Sequence, residues 1–123
     1  MSIVPREFIE SSTKNISENS PEIDLRNACS RAYYSVFHMA RIVADENNLP
    51  APRSRYKGSH QRLADRYLQD YRYKGIGDML HKLHKRRCVA DYEIHLNFSA
   101  LDAMHHINLC NGLIVKLETI IKL

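Results

Sequence analysis

Apolar residues recur at three- and four-residue spacing through most of the chain, and alternating β-branched runs are scarce. That pattern predicts helices throughout and an all-α fold. A first helix is expected over about Pro5 to Ile16, on sparse apolar positions. Ser20-Pro21-Glu22 is a start signal: a serine N-cap, proline at the first helical position and an acid in the first turn. The helix it opens is expected to reach about Glu46 with a stripe of Ile23, Ala28, Ala32, Phe37, Ala40 and Val43. It should stop at Asn47-Asn48-Leu49-Pro50-Ala51-Pro52, where the prolines forbid continuation. A basic loop, RSRYKG, precedes a short helix from about Ser59 to Tyr71. Gly75 and Gly77 read as punctuation of the next turn, and a fourth helix is expected over about Asp78 to Cys88. The segment ADYEIHLNF looks irregular. Ser99 opens the last helix, with Asp102 three residues on as the acidic variant of a capping box. Leu101, Met104, Ile107, Leu109, Leu113, Val115, Leu117 and Ile121 make that helix apolar over more than one stripe. A helix of this kind packs on its own bundle and on a partner, so a homodimer is expected.

At 123 residues the chain is expected to form a single domain, residues 1–123. No apolar run approaches the ~20 residues that span a bilayer, and the N-terminus lacks the apolar core of a secretory signal. Cys29, Cys88 and Cys110 are odd in number, far apart and without CxxC spacing. Reduced thiols in a cytoplasmic protein are the simplest reading. Net charge is +4, but eleven of the eighteen Lys and Arg and only three of the fourteen acids lie between Arg53 and Arg87. A basic middle on an acidic body fits either a polyanion partner or a solvated basic helix pair.

Within 30-SRAYYSVFHMA-40 a core-like helix carries Arg31, Tyr33, Tyr34 and His38. Residues seven apart lie almost in line on a helix, so Arg31 and His38 share a face with Tyr34 and Ser35, about 10 Å apart along the axis. One reading is an anion-facing strip, with Arg31 on phosphate and His38 as acid or base. The other is a core polar network with every group satisfied inside the fold.

These residues also carry a resemblance. Ser30 to Ala40, Ser59-His60 before a third helix, and Arg87-Cys88-Val89-Ala90-Asp91-Tyr92, in this order over roughly residues 20–120, resemble the HEPN superfamily. The match is closest to a small prokaryotic branch with S-R-A-Y-Y-x-x-F-H and R-x-x-A-D-Y motifs. The resemblance implies a four- to five-helix up-and-down bundle that dimerises. It also implies a metal-independent endoribonuclease, acting as a toxin or in antiviral defence, with RNA in a basic groove at the dimer interface. Some such proteins are paired with a nucleotidyltransferase antitoxin. The family signature, Arg then four to six residues then His, is absent late in this chain: the first histidine after Arg87 is His95, with seven residues between. The departure keeps a second class open, an inactive module binding a nucleotide, a nucleic acid or a protein. A purely structural dimerisation domain is a third.

The resemblance points to Arg31, His38, Arg87, His60 and Tyr34 as catalytic candidates, with Asp91 and Tyr92 in support. Arginines would hold phosphate and a histidine would act as acid or base, with no metal or cofactor called for. Asp91 suits orienting an arginine or histidine, or pairing locally as part of a clamp. In 55-RYKGSHQRLADRYLQDYRYK-74 tyrosines interleave with Arg55, Lys57, Arg62, Arg66, Arg72 and Lys74. With Arg86, these are the RNA-binding candidates, since bases stack on aromatic rings while cations hold the backbone. An amphipathic helix with half-buried tyrosines would look the same. His81 and His84, and His105-His106, lack acidic or cysteine partners at metal-ligand spacing. No Gly-rich phosphate loop and no GxSxG occurs.

Overall fold

The computed structural model describes residues 3–53 and 58–121. The described chain is all-helical: α1 (Arg6–Thr13), α2 (Glu22–Glu46), α3 (Ser59–Leu68), α4 (Lys74–Tyr92) and α5 (Ala100–Ile120). They pack as a helical bundle around α2, which contacts each of the other four. Among the described residues no helix is long and apolar enough to cross a membrane.

The main core joins Ala32, Val36, Ala40 and Val43 of α2 to Leu80 and Leu83 of α4 and Ile107, Ile114 and Leu117 of α5. The small residues of α2 let its neighbours approach closely, and the branched residues of α5 fill the gaps. Ser35 ties α1 down: its hydroxyl accepts from the Ile9 amide (2.8 Å) and donates to the Pro5 carbonyl (2.6 Å). Asn48 adopts a left-handed conformation (φ 54°) just past α2. The amide of Leu49 bonds to the Ala44 carbonyl and that of Asn48 to Asp45. This is a Schellman termination, with Leu49 buried beneath it. Ser99 and Asp102 form the expected capping box at α5.

Three expectations need correction. Ile23 is 62% exposed, while Arg26, one turn on, is 5% exposed, so the first turn of α2 faces opposite to its expected stripe. Helix α3 ends at Leu68, short of Tyr71. Helix α4 begins at Lys74 and runs to Tyr92, taking in both glycines and the Ala-Asp-Tyr segment. Gly77 is therefore not a turn residue. A Cβ there would lie 2.9 Å from the Ala64 carbonyl and closer still to Leu68, so glycine is what lets α3 and α4 cross.

Candidate functional site

His84, Arg87, Cys88 and Asp91 sit three and four apart on α4 and so share one face. Tyr33, Tyr34 and Phe37 project from α2 toward it, and His60 enters from the first turn of α3.

Arg87 is at the centre. It is 9% exposed, and its guanidinium carbon lies 5.3 Å from the Tyr34 ring centroid and 5.9 Å from those of Tyr33 and Tyr92. Its Nη2 donates to the Tyr34 hydroxyl at 2.9 Å. Asp91 Oδ2 is also 2.9 Å from Nε, but off the N–H axis, so that contact is an ion pair and not an aligned hydrogen bond. Asp91 is in turn held by the Ser30 hydroxyl at 3.2 Å. Burial works against the charge, yet Tyr34 and Asp91 more than offset it and raise the Arg87 pKa. The cation is permanent, and most of its five N–H donors have no aligned protein partner among the described residues.

His60 lies beside this arginine. Its Nδ1 is 2.7 Å from the Tyr33 hydroxyl, and its ring stacks on His84 at 4.4 Å and 14°. The Phe37 ring packs against the His60 ring at a centroid distance of 4.7 Å. Burial, then His84, then Arg87 push the His60 pKa down to about 4. His84 is also lowered, by burial and then by Arg87 and His81. Both imidazoles are thus neutral near pH 7. His84 Nε2 is 3.6 Å from the Cys88 sulfur.

Comparison with family models, with curated proteins and with solved structures returned no match.

The structure gathers Arg87, Tyr34, His60, Asp91 and Tyr92 into one cluster. Arg31 and His38 fall elsewhere. They do share a face of α2, but Phe8 of α1 sits between them. His38 stacks on Phe8 at 5.3 Å and lines an apolar cleft of about 330 Å³ with Ile3, Pro5, Arg41 and Ile42. Burial and then Arg41 lower its pKa. It borders the cluster through Phe37, edge-on at 5.6 Å, and Tyr34, stacked at 6.3 Å. Arg31 is exposed beside Glu7 and Phe8.

The basic candidates are dispersed. Arg66 is a structural clamp, donating to Asp45 (2.7 Å) and to the Leu49 carbonyl (2.8 Å). Arg86 lines a separate cleft with Val89, Phe98 and His106. Arg72 is exposed but bonded twice by its side chain to Asp70, and Lys74 is exposed at the start of α4. Arg62 is half-buried on α3. Arg55 and Lys57 lie outside the described residues. No three His, Cys, Asp or Glu side chains gather as metal ligands would among the described residues.

Three members of the cluster, Tyr33, Phe37 and His84, are not among the site residues expected from the sequence. Tyr33 and Phe37 occupy core positions, where an aromatic ring needs no functional explanation. The spacing of His84 three residues before Arg87 is the one signal that could have singled it out.

Proposed function

We propose that this protein is a HEPN-like endoribonuclease that works without a metal, and that its site is the cluster around Arg87. The observation that carries the reading is a guanidinium nine-tenths buried among three tyrosine rings, with one aligned hydrogen bond and two neutral histidines beside it. RNA cleavage by internal transesterification needs positive charge on the phosphorane oxygens and groups that move protons at the 2′- and 5′-oxygens. Arg87 supplies the charge, His60 and His84 the proton-handling rings, and Tyr34 and Tyr92 hydrogen bonding or stacking for a base. Asp91 orients Arg87. A toxin or antiviral role, and pairing with a nucleotidyltransferase antitoxin, follow from the sequence resemblance. A homodimer is supported by Leu101, Met104 and Val115, which one chain leaves exposed along α5.

The second reading, an inactive binding module, is favoured by one specific feature. Arg87 is already occupied by Asp91 and Tyr34, as in a structural clamp. The two part on incubation of purified protein with total RNA and tRNA in EDTA. Cleavage by the wild type, reduced about a hundredfold or more by Arg87→Ala and by His60→Ala, is expected of the nuclease. His38→Ala should have a smaller effect. RNA retention without cleavage would move the assignment to the binding module, and neither would remove RNA from the account.

A further inference from the structure

The Tyr33 side chain is 1% exposed, and its hydroxyl has a single partner among the described residues, His60 Nδ1 at 2.7 Å. A hydroxyl proton buried this deeply must be given to an acceptor or it is left unsatisfied, which is costly. If His60 Nδ1 carried a proton, it would donate to the Tyr33 oxygen and the Tyr33 proton would have nowhere to go. The arrangement that satisfies both groups has Tyr33 donating to an unprotonated Nδ1. The imidazole proton is then on Nε2, which has no bond to another described side chain. Burial keeps the Tyr33 phenol protonated well past the ordinary tyrosine range, so the donor is permanent. The groups facing His60 are Tyr33 and Phe37 from α2 and His84 and Arg87 from α4. None of these is an anion that would favour a doubly protonated ring.

We propose that Tyr33 is a positioning residue that fixes His60 as the neutral Nε2–H tautomer. His60 thereby presents a donor, in the same cluster as the Arg87 guanidinium, to an oxygen of an anionic group such as a phosphodiester. The tautomer stands on the geometry alone. The donor role rests on reading the cluster as an RNA site.

The tautomer is read from long-range ¹H–¹⁵N correlation spectra of histidine-labelled protein at pH 7 without RNA, with His60 identified by its loss in His60→Gln. The wild type should show a single Nε2–H form at His60, and Tyr33→Phe should turn it into a mixture. An Nδ1–H form or a mixture in the wild type overturns the inference, and that measurement needs His60→Gln only for the assignment. So does a Tyr33→Phe spectrum that still shows pure Nε2–H.

The donor role is tested separately with RNA. A glutamine amide reaches the position of Nε2, whereas an asparagine amide reaches that of Nδ1. His60→Gln should hold RNA about tenfold more tightly than His60→Asn, as one hydrogen bond to a charged group would give. Equal binding by the two would end the donor role while the tautomer stood. No RNA binding by any form would end the RNA reading, again leaving the tautomer to its own spectrum.

Discussion

Arg26 and Arg87 are both buried arginines, on facing helices, and they do different work. Arg26 donates to the carbonyls of Val89, Ala90, Glu93 and Leu96, with Glu22 at 3.4 Å from its Nε. The last carbonyls of α4 have no helical partners, and a cation there also meets the negative end of the helix dipole. Glu22 completes the tie by accepting from the Phe98 amide at 2.8 Å. Arg26→Met keeps the aliphatic bulk and leaves the Ala90 and Leu96 carbonyls without a donor, while those of Val89 and Glu93 keep the amides of Glu93 and Leu96. It should cost about 3 kcal/mol. In hydrogen exchange the segment from Glu93 to Phe98 should lose protection before the rest of the bundle does. An unchanged unfolding midpoint would show that water replaces the guanidinium at no cost. Arg87 has no such set of carbonyls, and its hydroxyl and carboxylate partners leave donors unspent. The motif around Arg87 is legible in the sequence through the R-x-x-A-D-Y resemblance, although Asp91 and Tyr92 were expected past the end of the helix that holds them. Arg26 was not, because its partners lie 63 to 70 residues away and nothing local marks them.

Helix α4 shows why elements were easier to find than to bound. Its hydrophobic spacing and its lysines and histidines mark a helix, but two glycines within the first four residues read as a break. Glycine costs a helix interior about 1 kcal/mol relative to alanine, so their presence argues for a turn on propensity alone. At Gly77 tertiary packing overrides propensity: the Ala64 carbonyl occupies the space a side chain would take. Gly77→Ala should therefore destabilise the protein despite its better helix propensity. A net loss of about 1–2 kcal/mol is expected, from overpacking against backbone that cannot rotate away. Gly75→Ala, which meets only the end of Lys116 at 3.8 Å, should be neutral or stabilising. Urea unfolding of the pair decides it: if both substitutions stabilise, the close α3–α4 approach is not what glycine serves here. At its other end, α4 runs through Ala-Asp-Tyr because Arg26 caps it from α2. A contact from another helix is not visible in a local pattern. By contrast, the stop of α2 and the start of α5 rest on local chemistry, the turn at Asn48 before the prolines and the Ser99–Asp102 box, and both could be read from the chain. At the start of α2 the N-cap is Pro21 and not the expected Ser20, with no side-chain cap.

The whole molecule keeps several imidazoles in surroundings that disfavour their charge. His106 is 1% exposed, with Nε2 donating to the Cys29 carbonyl at 3.0 Å and Nδ1 buried without a partner. Burial pushes its pKa down to about 4, with the Cys29 contact opposing that shift and Arg86 and His105 adding to it. His60 is lowered to about 4, and His84 and His38 are lowered as well. A folded-state pKa below the unfolded value of ~6.5 means that the unfolded chain takes up protons first as pH falls. Stability from these groups is fully present above pH ~6.5 and is lost progressively toward pH ~4. For His106 alone the depression corresponds to about 3 kcal/mol. The half-buried rings contribute less, since solvent reaches them. The urea midpoint should fall steeply between pH 7 and 5. In His106→Gln, whose amide can still donate to the Cys29 carbonyl, the fall should be shallower although stability at pH 7 is lower. A wild-type midpoint that stays level to pH 5 would mean that the buried ring reaches solvent or finds an acceptor on protonation. An equal slope in His106→Gln would assign the loss to the half-buried rings, His60, His84 and His38. Acid would then unfold the bundle through its half-buried rings and not through its core.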